Sequence, residues 1–232
     1  MTILLYNTWI LRFSAWWHWT FWFTKKEDNL VQAQREDNTI LSGSRVAADE
    51  QFTAQVEQLL SLGYPTMANM TEGVFLDKIE PLRRIFELGS IIVIPEEVVT
   101  FAFQLEAVGG RVVSHHRAWT HGDSIEMPDV PFISAEVDDG RGYHDKSPLA
   151  CMKHFQTNDR FGLSVIEGIA LVTHRPKTLR NHHCVDLPGS YCGRDLHAPQ
   201  LRHWGELILD NRFNWSPLPT SGSASCRARL AP

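Results

Sequence analysis

"SVIEGIALVTHRP", residues 164–176, is the stretch on which the fold class turns. Ser164 precedes the apolar run and Glu167 follows three residues later. This is a capping box, in which hydroxyl and carboxylate each satisfy a backbone N–H that the first helical turn leaves without a partner. Val165, Ile169 and Val172, flanked by Ile166 and Ala170, recur at helical spacing, and Pro176 stops the run. A capped helix is therefore expected near residues 165–174, with an apolar face toward a core. Gly168 weakens it slightly.

Upstream, Phe52, Val56, Leu59 and Leu60 also repeat at helical spacing, and Gly63 with Pro65 supplies a stop. Thr71 is placed to cap a second short helix carrying Val74, Phe75, Ile79, Leu82 and Phe86, which Pro81 should kink or restart because it has no N–H to donate. The character then changes. "IIVIP" from residue 91 reads as a buried strand, "FAFQLEAVGG" from residue 101 as an alternating strand ending in a Gly-Gly turn, and "PFISAEV" at 131–137 as a further strand before the turn "DDGRG". Ser147-Pro148 starts another short helix, with Ser as cap and Pro at the first position. Helices flank a strand-rich middle without a repeated strand-helix-strand rhythm. The expected class is α+β, with short N-terminal helices, a strand-rich middle, the capped helix and a loop-rich C-terminal segment.

Residues 1–24 form a separate problem. Five of the eight tryptophans fall between residues 9 and 22, and Lys25-Lys26 closes the segment. Trp is at home where one side of the ring is wet and the other apolar, so this head suits peripheral membrane contact better than a span, which Asn7, Arg12, Ser14 and His18 would interrupt. A helix packed on its own domain, or an upstream extension outside the folded unit, is the plainer reading of the same residues. Residues 25–48 are polar or small and read as a linker, leaving residues 49–232 as a single α+β domain.

"FTAQVEQLLSLGYP" at 52–65, "EGIALVTHRP" at 167–176, "GSYCG" at 189–193 and "GSASC" at 222–226 occur in an order that resembles the bacterial domain-of-unknown-function family 5701. The resemblance covers about residues 52–228. It implies a boundary near residue 50 and an uncharacterised protein, and it brings no activity. "HHRAWTHGDS" at 115–124 has no counterpart in that pattern. The resemblance also implies a cysteine near "FNW" at 213–215, where this chain has Asn214.

The formal net charge of −5 argues against nucleic acid, which a protein meets with a positive field, and four cysteines in a chain of 232 residues do not make a disulfide scaffold. A cytoplasmic location is expected, with membrane association through the head as an addition to it. Three constellations carry candidate chemistry. Cys184, Cys192, Cys226 and His183 offer the thiolates and imidazole of a structural zinc site, although the seven residues between the first two are not a zinc-knuckle spacing and the absent cysteine at Asn214 subtracts from it. Reduced, separate thiols are the plainer reading. His115, His116, His121 and Asp123 match no metal spacing and read as a polar loop. The third is basic: Arg175, Lys177, Arg180, Arg194 and Arg202 face only Asp186 and Asp195 over residues 172–203.

There, His174 at the negative end of the helix dipole, Arg175, Arg180 and Arg194, with Gly189 and Gly193 letting backbone amides approach, would hold a small anionic ligand or meet an acidic partner. The expected function is a binding or regulatory domain. The alternatives are an enzyme of unknown reaction using His174, Cys184 or Cys192, and a membrane-associated accessory protein. No nucleophile elbow, phosphate loop or dinucleotide fingerprint is present, so no acid/base pair is nominated.

Overall fold

Apolar spacing becomes helix first at the N-terminal end of the folded unit. The computed structural model describes residues 43–113, 120–121, 126–179, 183–191 and 197–232. The Trp-rich head, linker residues 25–42, and His115, His116 and Asp123 lie outside them. Ala47–Pro232 form one compact unit. Residues 43–61 are helical (α1) and bury Ala48, Phe52, Val56 and Leu59, so the helix begins ahead of Asp49. Gly63, at φ 78°, turns the chain into Tyr64–Met67 (α2). Thr71 accepts a hydrogen bond from the Val74 N–H at 3.4 Å and caps Glu72–Ile79 (α3). Pro81 then restarts the chain as a 3₁₀ turn over Glu80–Arg84.

Ile91–Val93 (β1) pairs antiparallel with Phe132–Ala135 (β4), whose other edge takes Ala228–Leu230 (β12). Side chains alternate across a strand. Ile91, Val93 and Phe132 enter one core, while Ile92, Ile94 and Ile133 enter a second built on α1 and α3. Both faces being buried explains the unbroken apolar run of "IIVIP".

Phe101–Ala107, read as a strand, is a helix (α4). The alternation of Phe101, Phe103 and Leu105 is also compatible with a helix that buries Gln104 and Leu105 and leaves Phe103 exposed. Tertiary contacts decide it. The Gln104 amide donates to the Ile94 and Val99 carbonyls at 2.8 and 2.6 Å, and its oxygen accepts from the Tyr64 hydroxyl. Such a buried amide is held only where every polar atom finds a partner.

Pro148–Thr157 (α5) starts as expected, with Ser147 Oγ accepting from the Ala150 N–H at 3.3 Å. Phe161–Gly162 (β5) leads into Val165–His174 (α6), where both halves of the capping box are present: Ser164 N–H donates to Glu167 at 2.8 Å and Ser164 Oγ accepts from Glu167 N–H at 3.4 Å. One apolar face was expected, yet Val165 to Thr173 are all buried, so α6 is the central helix. Each buried Val, Leu or Ile contributes about 1.5–3 kcal/mol relative to exposure.

The C-terminal segment, expected to be loop-rich, carries most of the strand pairing. Cys184–Asp186 (β6), His197–His203 (β8), Leu207–Phe213 (β9) and Ser221–Ser223 (β10) join Gly110–Val112 (β2) in a five-stranded sheet of order β10-β6-β8-β9-β2. Proline and histidine in "HAPQLRH" mask this strand, yet β8 and β9 stay in antiparallel register from His197↔Phe213 to His203↔Leu207. Ser190–Tyr191 (β7) pairs with Thr120–His121 (β3), and Ser225–Cys226 (β11) with β5. One face of the larger sheet sends Val185, Leu201 and Leu209 into the core around α6. The α+β class stands.

Candidate functional site

The C-terminal end of α6 places the residues singled out from the sequence. His174 Nε2 faces the Ile92 carbonyl at 2.9 Å, a partner that assigns the proton to Nε2, while Nδ1 is buried without a partner. Burial lowers its pKa to about 4, outweighing that hydrogen bond, so the imidazolium expected from the helix dipole is replaced by a neutral ring. Arg175 donates to the Val137 carbonyl at 3.2 Å and to the Gly89 carbonyl. Gly189 is buried, and its N–H donates to the Leu163 carbonyl at 2.9 Å. A Cβ there would lie 2.2 Å from the Gly162 carbonyl oxygen, so this glycine permits two backbones to touch rather than cradling an anion. Arg180, Gly193, Arg194 and Cys192 lie outside the described residues.

Of the candidate zinc ligands, the described ones, His183, Cys184 and Cys226, do not form a metal-holding group. His183 Nε2 donates to the Asp139 carbonyl at 3.0 Å and its Nδ1 meets His144 Nε2 at 2.8 Å. Cys184, on β6, pairs across to Ser221, and Cys226, on β11, pairs across to Phe161 in a different sheet. Among the described residues no group of three or more His, Cys, Asp and Glu side chains is arranged to hold a metal ion. Cys151, Cys184 and Cys226 are free, buried thiols whose pKa burial pushes up, the opposite of an activated nucleophile.

What the same helix end does build is a cavity of about 1480 Å³. Leu62 and Gln58 of α1, Ala107 and Val108 at the end of α4, and Val172, Thr173, Pro176 and Leu179 around the end of α6 form its walls. The turn between β8 and β9 closes it with His203, Trp204, Gly205 and Leu207. Gly205 takes the left-handed φ of 78° that this turn requires, and the Trp204 N–H donates to the Glu206 carbonyl at 3.1 Å. The Arg202 guanidinium lies 4.2 Å from the centre of the Trp204 ring, holding an indole that is 61% exposed. Glu206 is tied to Arg111 of β2 at 2.5 Å, which fixes the turn from its other side.

The model described as "Family of unknown function (DUF5701)" matches residues 58–202. The chain belongs to that family. No curated protein and no solved structure matches it. The DUF5701 match begins at Gln58 and ends at Arg202, so it takes in the α1, α4 and α6 walls of the cavity and stops just before the turn that closes it. Among the described residues no helix is long and apolar enough to cross a membrane.

Chemically the cavity is mostly apolar. The described residues lining it include no Cys, Asp, Glu or Lys, and the Thr173 hydroxyl already donates to the Ile169 carbonyl at 2.8 Å. That leaves Gln58, His203 and the Trp204 indole as its polar groups. Sequence reading missed this site because its residues come from four distant segments. Its one local signal is Trp204-Gly205 between two alternating strands, a turn that puts an indole in water.

Proposed function

We propose that this DUF5701 domain binds a small molecule with an apolar body, seated in the cavity between α1, α4, α6 and the β8–β9 turn. The observation that carries the reading is the cavity itself: apolar walls, few polar groups and an indole fixed at its rim. This is the usual composition of a small-molecule site. The expectation of a small anionic ligand moves with it, from the loop after α6 to the rim. There Arg202 and His203 flank Trp204 and would favour a ligand whose free end is anionic. An acidic partner protein finds no comparable support.

Two fluorescent probes of similar shape test this: neutral phenylnaphthylamine and anionic anilinonaphthalene sulfonate. Both should bind the full chain saturably. The Ala107→Trp variant, which places an indole in the cavity, should weaken both at least about tenfold, equivalent to about 1.4 kcal/mol. The sulfonate should bind more tightly, and Arg202→Gln should remove that difference. Probe binding unchanged in Ala107→Trp would sink the cavity reading; equal affinities in the wild type would sink the anionic part alone.

A further inference from the structure

The other face of the five-stranded sheet carries a feature of a different kind. Asp186 of β6, Gln200 and Arg202 of β8, Asp210 and Arg212 of β9, and Ser221 of β10 meet there, away from the α6 core. Asp186 is fully buried and accepts from Gln200 Nε2 at 2.9 Å, Ser221 Oγ at 2.7 Å and Arg212 Nη1 at 2.9 Å. Arg202 Nη2 donates to Asp210 at 2.6 Å. Six buried side-chain nitrogens or oxygens among the described residues have no hydrogen-bond partner, and three are on this face: Arg202 Nε, Arg212 Nε and Arg212 Nη2.

The arrangement at Arg212 is specific. Its side chain is 7% exposed, and one nitrogen is anchored by Asp186. Asp186 is in turn held by Gln200 and Ser221, so the guanidinium plane is set from behind. Nε and Nη2 are the two donors of one edge of the guanidinium, the edge that meets two oxygens of a carboxylate or phosphate in parallel hydrogen bonds. A buried donor left without an acceptor costs about 1–3 kcal/mol, more when charged. Retaining two on one preset edge is therefore costly unless something accepts from them. Burial also outweighs Arg212, Ser221 and Gln200 and pushes the Asp186 carboxyl up from the ordinary range.

We infer that the Nε/Nη2 edge of Arg212 is a binding site for a small oxyanion, taken up bidentately on the polar face of the sheet and separate from the apolar cavity. Arg212 and the cavity-lining His203 and Leu207 lie on opposite faces of β8 and β9, and Arg202, on the Arg212 face, also touches Trp204 at the cavity rim. Carboxylate and phosphoryl oxygens share the required chemistry, and the choice of probe separates them.

The full chain is titrated calorimetrically with inorganic phosphate and with acetate, against chloride at matched ionic strength. One saturable site per chain is expected for at least one oxyanion and none for chloride. Tighter phosphate assigns a phosphoryl group, and tighter acetate a carboxylate. Arg212→Lys keeps the charge but removes the paired donors, and should weaken binding at least about tenfold. Ala107→Trp should leave it unchanged. Absence of saturable oxyanion binding to the wild type overturns the inference whether or not the lysine variant folds, since water would then suffice for the two donors. Equal binding to a folded Arg212→Lys variant overturns it as well.

Discussion

Two side chains show how burial reverses what a local motif suggests. Glu167 enters as half of a capping box, yet it is fully buried, and Arg229 donates to both its oxygens at 2.9 and 2.7 Å while Ser134 Oγ adds a third hydrogen bond at 2.6 Å. Burial alone would raise its carboxyl, but the Arg229 charge and these hydrogen bonds hold it below the ordinary range. Arg229→Met should therefore cost roughly 3–5 kcal/mol in urea unfolding, because it strands a buried carboxylate. Glu167→Leu added to it should recover most of that loss. His174 runs the other way. Its folded pKa of about 4 lies below the unfolded value, so the unfolded chain binds more protons between roughly pH 6.5 and 4 and stability falls as pH falls through that window. The loss from this group amounts to up to about 3 kcal/mol. His174→Gln, which can still donate to Ile92, should flatten that part of the profile and leave the smaller share from His183, whose pKa burial also lowers.

Among the elements, the legible ones are those whose ends are sealed by neighbours in sequence. α3, α5 and α6 were readable because Thr71, Ser147 and Ser164 cap them locally. α4 was not, since a seven-residue apolar alternation fits either period and only the Gln104 contacts decide it. Strands β6 and β10 were illegible for a related reason: parallel pairing of Ser221–Ser223 with Cys184–Asp186 is made across a long stretch of chain and leaves no turn signature. That pairing brings Gly222 against Gly140, where a Cβ on Gly222 would stand 1.9 Å from the Gly140 carbonyl oxygen. Gly222→Ala should consequently destabilise the protein by at least about 2 kcal/mol, read as a fall in the urea midpoint, because backbone rather than a yielding side chain blocks the methyl. Ser221 sits one residue away, so the same variant should loosen Asp186.

At the scale of the molecule, a two-sided β1–β4 layer separates two cores, and the five-stranded sheet separates an apolar cavity from a polar face that carries Asp186, Asp210 and Arg212. Sites on opposite faces of one sheet should be thermodynamically independent. Phenylnaphthylamine and the preferred oxyanion should each raise the melting temperature, and together their stabilisation free energies should add. Ala107→Trp should abolish only the first increment and Arg212→Lys only the second; a strong departure from additivity would mean the sheet couples them. The chain itself determined the starts of its capped helices, its turns, the buried strand at residues 91–94 and its membership of a family, because capping, turn chemistry and apolar periodicity act over a few residues. Only the tertiary structure decided which polar groups are paired inside the fold and which are left without a partner. Arg175 and Gly189, read as anion-binding, find backbone partners far away in sequence, whereas Arg212, unremarked in the sequence, keeps an unpaired edge because its strand neighbours occupy only one of its nitrogens. Satisfaction of a buried charge depends on what arrives beside it from the rest of the chain, and local sequence does not contain that information.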